Sequence, residues 1–145
     1  MTEDLISNKV ATEQFNLILD YYDIDLEDYD NSDEDNNVGK VIKGLGKKVI
    51  RAIRKGYLKI DMREGRMFVI QHLRCDVKKL GKVLEYKPVN GKSRTAMNGI
   101  PSGDSFEKLL AVAASLTGNE KSAMLNIEGP DLGLLENICS LFLLV

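Results

Sequence analysis

Gly91-Lys92-Ser93, within YKPVNGKSRTAM at 86–97, matches the close of a phosphate-binding loop and is the first place to look for chemistry. Such a loop needs the pattern GxxxxGK[ST] after a strand and at the opening of a helix, so that backbone amides cradle phosphate. The position that requires the first glycine holds Tyr86, and Arg94–Gly99 is too short and glycine-ended to read as the required helix. The second glycine pattern, Gly44-Leu45-Gly46, would need a third glycine where Val49 stands. Asp23, Asp25, Glu27, Asn31 and Glu34 fall on ligand positions of a calcium loop. Asp28 occupies the place of the obligatory turn glycine, and Asp30 the place of the usual apolar residue. A dense acidic run produces such spacings by chance. His72 is the single histidine, and Cys75 and Cys139 form no CxxC pair, so neither a zinc site nor a nucleophile with its base is assembled. The carboxylates cluster where the chain offers little to hold them, whereas catalysis requires preorganised groups. The reading is therefore non-enzymatic, with no metal and no cofactor.

Basic residues form the remaining constellation. Residues 1–37 carry twelve acids and one base, residues 38–97 seventeen bases and four acids, and residues 98–145 six acids and two bases. A middle near +13 thus lies between segments near −11 and −4, although the chain as a whole is −2. Either these parts fold against one another and cancel, which is the simpler account, or the basic part meets an acidic partner while the acidic arm guards it. Lys47, Lys48, Arg51 and Arg54 are the candidate contacts to a protein, and with Lys55 to phosphate. The acidic total and the lack of an RNA-type aromatic pattern argue against nucleic acid.

The elements that must position these residues follow from periodicity. Phe15, Ile18, Leu19 and Tyr22 form a helical stripe within residues 5–22, with Val10 and Ala11 one turn earlier on nearly the same face. Residues 23–39 read as a mobile acidic linker, dense in like charge. KVIKGLGKKVIRAIRK at 40–55 reads as a basic amphipathic helix with Ile42, Leu45, Val49 and Ile53 on one side; its glycines predict a proper start only after Gly46, and Gly56 a stop. From Tyr57 the period becomes two: Leu58, Ile60 and Met62 alternate with charges, Glu64-Gly65 turns, and Arg66–Leu73 returns as a strand. RCDVKKLGK is expected to hold a helical turn. Val83–Val89 and Lys92–Met97, joined by Asn90-Gly91, are predicted as a second hairpin, with Pro88 pushing its strand to a sheet edge. Asp104 with Glu107 reads as a capping box for a helix up to Gly118, residues 120–127 as a short helix, and Gly129-Pro130-Asp131 as the start of a last one. On that last helix Leu135, Ile138, Leu141 and Phe142 either cover a partner or close the core.

The expected fold is a single α+β domain: an N-terminal helix over 1–22, the acidic linker, and an α+β core over 40–145 built on a small antiparallel meander. No window is long and apolar enough for a membrane span, and MTEDLISNK lacks the pattern of a secretory signal. Reduced thiols fit a cytoplasmic setting.

The order of the second half carries a more specific likeness. LEYKPVNGKSRTAM, then SFEKLLAVAASLTG, then GPDLGLLENICSLFLL, with Leu116-Thr117-Gly118, Asp131 and Phe142-Leu143, resembles the tail assembly chaperones of long-tailed bacteriophages of the Mu-like class. The likeness covers about residues 57–144. It implies a non-catalytic protein of the host cytoplasm that keeps the tape-measure protein soluble during tail assembly and is left out of the finished virion. Its partner would be the tape-measure or another tail protein, with self-association left open. A structural tail or head-completion subunit, retained in the virion, is the first alternative; a nucleic-acid-binding accessory protein using the 43–55 helix is the second.

Overall fold

The computed structural model describes residues 5–25, 38–77, 80–101 and 103–144. Helix α1 (Asn8–Tyr21) starts at Ser7, whose hydroxyl accepts from the Val10 N–H at 3.2 Å. It buries Ala11, Phe15, Ile18 and Leu19, while Val10 turns outward. Of the acidic linker, residues 26–37 lie outside the described residues, and its last two, Val38 and Gly39, already belong to helix α2 (Val38–Arg54).

Helix α2 runs unbroken through both glycines, against the expectation of a start after Gly46. The two have different reasons to be there. A Cβ on Gly46 would stand 2.7 Å from two ring carbons of Phe15, so this glycine is what lets α1 lie against α2; a Cβ on Gly44 would meet nothing within 4 Å. Ile42, Val49, Ala52 and Ile53 face inward, and Lys40, Lys43, Lys47, Lys48 and Arg51 face out. Gly56, at φ +80°, ends the helix, and the Tyr57 N–H reaches back to the Ala52 carbonyl at 3.0 Å.

Strands β1 (Leu58–Arg63), β2 (Arg66–Val77) and β3 (Gly81–Tyr86) form an antiparallel meander in that spatial order. The Glu64-Gly65 turn has φ +51° and +78°, the left-handed pair that a two-residue hairpin needs. Alternation sets the faces: Leu58–Gln71–Leu84 and Ile60–Val69–Tyr86 are cross-strand rows on the buried side. Lys59–Ile70–Glu85 lies on the other. The expected helical turn in RCDVKKLGK is instead the far end of β2, which continues to Val77 and pairs there with Gly81 after a register shift beyond His72.

The second hairpin does not form. Asn90 sits at φ −142°, not in the left-handed region, and caps a five-residue helix, α3 (Gly91–Thr95). Its Oδ1 accepts from the Ser93 N–H at 3.0 Å, and the Ser93 hydroxyl accepts from the Asn90 N–H at 3.0 Å. Asparagine favours helix N-caps as strongly as turns, and Ser93 three residues on supplies the reciprocal bond. Lys92–Met97 also lacks strand alternation, so nothing beyond the Asn-Gly pair favoured a return strand.

Helix α4 (Ser105–Thr117) starts at Asp104 without a side-chain cap bond, so the expected box does not form: the Asp104 N–H donates to the Pro101 carbonyl at 3.0 Å, and Glu107 pairs with Lys121. It ends at Gly118, φ +69°. Helix α5 (Lys121–Met124) follows, then α6 (Pro130–Leu144), which packs on α2, α4 and β2. Phe142 lies between Tyr22 and Tyr86, ring centroids 6.0 and 6.1 Å away. One hydrophobic cluster runs from Ala11 on α1 to Phe142 on α6.

Candidate functional site

Beyond His72 strand β2 outruns β1, whose pairing ends at Leu58–Gln71, and its register with β3 shifts. Backbone amides there need partners from outside the sheet. Asp131, the second residue of α6 and only 3% exposed, supplies them. The Arg74 N–H donates to its two carboxylate oxygens at 3.0 and 2.9 Å, and the Cys75 N–H to Oδ2 at 2.7 Å. The Asp131 carbonyl accepts from Gln71 Nε2 at 2.9 Å, and Gln71 Oε1 accepts from the Tyr86 hydroxyl at 2.7 Å. A polar chain thus crosses the core from β3 through β2 to the head of α6. The carboxylate also favours the positive end of that helix.

This fastening places the walls of a groove of about 530 Å³ beside it. Lys48 and Arg51 project from one flank of α2, Lys55 and Tyr57 lie on either side of the Gly56 stop, and Arg74 comes from β2. Pro130, Gly133, Leu134 and Asn137 of α6 form the opposite side. The Arg74 guanidinium lies 3.5 Å from the centre of the Tyr57 ring, a stacking that leaves its in-plane N–H donors uncovered. Among the described residues, no acid lines the groove.

Of the residues singled out in the sequence, Lys48 and Arg51 reach this groove and are exposed. Lys47 is exposed outside it, and Arg54 is half-buried, its carbonyl accepting from the Leu5 and Ile6 amides at 2.7 and 3.1 Å. Leu135, Ile138, Leu141 and Phe142 are at most 2% exposed, so they close the core and offer no surface in this fold. Lys55, the fifth candidate for phosphate, also lines the groove, and Tyr57 joins it where the strand period begins. Arg74 was not within reach of sequence reasoning, because its position depends on Asp131.

The remaining candidates resolve separately. Ser93 spends its hydroxyl on the α3 cap, donating to the Asn90 carbonyl at 2.9 Å as well as accepting, and Tyr86 is core. Of the calcium-loop positions, Asp23 and Asp25 are described and exposed, while Glu27, Asn31 and Glu34 lie outside the described residues. Among the described residues no group of three or more His, Cys, Asp or Glu side chains could hold a metal ion. His72 points to solvent from the outer sheet face, opposite Val83. Cys139 is buried, which pushes its thiol up to about 12. The Cys75 thiol is raised first by its hydrogen bond to the Asp131 carboxylate and then by burial. Burial likewise raises the Tyr86 hydroxyl far above its ordinary range. No helix among the described residues is long and apolar enough to cross a membrane. Compared with protein-family models, curated proteins and solved structures, the chain matches none.

Proposed function

We propose that this protein is a non-catalytic tail assembly chaperone of a long-tailed bacteriophage, acting on the tape-measure protein through direct contact. The observation that carries the reading is where the residues of the resemblance fall: they are the ones that fasten the C-terminal helices to the sheet. The Leu116 carbonyl accepts from the Lys87 N–H at 3.0 Å, tying the end of α4 to the chain leaving β3. Thr117 closes the last turn of α4 onto the Ala113 carbonyl at 2.8 Å, and Gly118 supplies the left-handed exit. Asp131 holds β2, and Phe142 seats α6 against Tyr22 and Tyr86. A signature whose members each determine the fold is what a shared scaffold would produce. Because the apolar face of α6 is consumed by the core, the partner is held by the outside of the domain, whose most distinctive part is the basic flank of α2.

The test is co-expression with the long, coiled-coil-rich protein encoded in the same phage genome. A chaperone raises the soluble fraction of that protein and co-purifies with it. Unchanged solubility together with no co-purification sinks the proposal. Finding the protein in stoichiometric amounts in purified particles favours the structural subunit instead.

A further inference from the structure

We infer that the groove between α2 and the head of α6 is a docking site for an acidic peptide segment of a partner protein, one that alternates carboxylates with apolar side chains. The inference rests on the protein being a partner-binding one, and leaves open which partner carries the segment. Three kinds of observation point to that chemistry. Lys48 and Arg51 are exposed on one side, Arg74 joins them from a different element, and among the described residues no acid lines the groove. Arg74 is not a free-swinging side chain: its backbone is bonded to Asp131 and its guanidinium lies on Tyr57. A held guanidinium with open N–H donors suits bidentate capture of a carboxylate at low entropic cost.

The opposite wall adds Gly133, whose lack of a side chain keeps that side of the groove open, since a Cβ there would meet nothing within 4 Å. Pro130 and Leu134 contribute apolar contact beside the charges. Mixed lining of this kind fits peptide side chains better than a phosphate backbone, which asks for a longer unbroken run of cations and would meet a chain of net charge −2. A volume of about 530 Å³ holds a few side chains, not a duplex.

Fluorescence polarisation of a fluorescein-labelled peptide with glutamates spaced between leucines, titrated with the full-length protein, tests the site. The double variant K48E/R51E weakens binding about ten- to a hundred-fold, the effect of reversing two ion-pair partners at the surface. The matched control K59E/K92E carries the same charge change at exposed positions on β1 and α3, outside the groove, and shifts affinity less than about twofold. Arg74→Ala gives an independent loss of affinity, checked against an unchanged melting temperature. Equal weakening in the control, no peptide binding by the wild type, or tighter groove-dependent binding of a labelled single-stranded oligonucleotide overturns the inference. The two proposals fail separately. If K48E/R51E still keeps the tape-measure protein soluble, the groove is not the contact and the chaperone stands. If the peptide binds in the groove but wild type leaves that protein insoluble, the site stands and the chaperone role falls.

Discussion

Removing the Asp131 side chain is the most direct challenge to the way this fold is fastened. In Asp131→Ala the Arg74 and Cys75 amides lose their acceptor at a place where neither neighbouring strand can replace it. A part-buried donor left unpaired costs about 1–2 kcal/mol, the lower part of the range for full burial. Two of them, with about 0.5 kcal/mol for the lost charge at the start of α6, give about 3–4 kcal/mol. For a chain of this size that corresponds to a fall in melting temperature of about 10 °C. Asp131→Asn keeps the shape and one acceptor oxygen, and lands between wild type and alanine. Urea denaturation followed by circular dichroism gives the free energies, and hydrogen exchange locates them: the Arg74 and Cys75 amides become fast-exchanging while that of Val69, in the paired part of β2, changes only with global stability. The Cys75 thiol reports the same event, because loss of the carboxylate removes the main cause of its raised pKa and speeds its alkylation at mildly alkaline pH. A cost below about 1 kcal/mol for Asp131→Ala, with both amides still protected, would refute the claim that this carboxylate holds the strand.

Three further outcomes are expected. Gly44→Ala stabilises α2 by up to about 1 kcal/mol, whereas Gly46→Ala drives a methyl into the Phe15 ring and destabilises by about 1–3 kcal/mol, a contrast in sign read from two melting curves. Asn90→Ala costs about 1 kcal/mol as a lost helix cap, while Gly91→Ala is neutral or stabilising; a marked loss for Gly91→Ala would mean that Gly91 needs the positive φ of a hairpin turn after all. Burial holds the Cys139 proton in the folded protein to about pH 12, against an ordinary value of 9.0, so folding binds a proton that the unfolded chain releases. That contribution is complete below about pH 9 and disappears as pH rises towards 12. Cys139→Ala, less stable at neutral pH because of its cavity, should therefore close the gap on wild type across this window in denaturation titrations; a constant gap would contradict the buried thiol.

What the sequence revealed and what it concealed divide along the distance over which each signal acts. The strands β1 and β2 and the Glu64-Gly65 turn were legible because alternation and a two-residue turn are local, as was the end of α2 at Gly56. Asn90-Gly91 was local too, yet ambiguous: asparagine serves a turn and a helix cap equally, and the deciding residue was Ser93, whose role emerges only from its reciprocal bonds to Asn90. Gly46 read as a helix penalty because its cost is intrinsic to α2, while its reason, the Phe15 ring, belongs to α1. The same holds for the groove. Lys48 and Arg51 could be found because one helix presents them together, but their cationic partner Arg74 comes from a strand whose irregular end is set by Asp131, more than fifty residues later in the chain. Asp131 was visible as an acid suited to a helix start, and that reading is correct as far as it goes. Its larger role requires knowing that β2 outruns β1 and slips register against β3, a fact that lives in the pairing of three strands and in no single segment of the sequence. A binding surface assembled in this way is coupled to the core beneath it: the carboxylate that anchors α6 is also what holds the backbone from which Arg74 reaches the groove. Asp131→Ala should therefore weaken peptide binding even at temperatures where the protein remains folded, and an unchanged affinity there would separate the fastening from the groove.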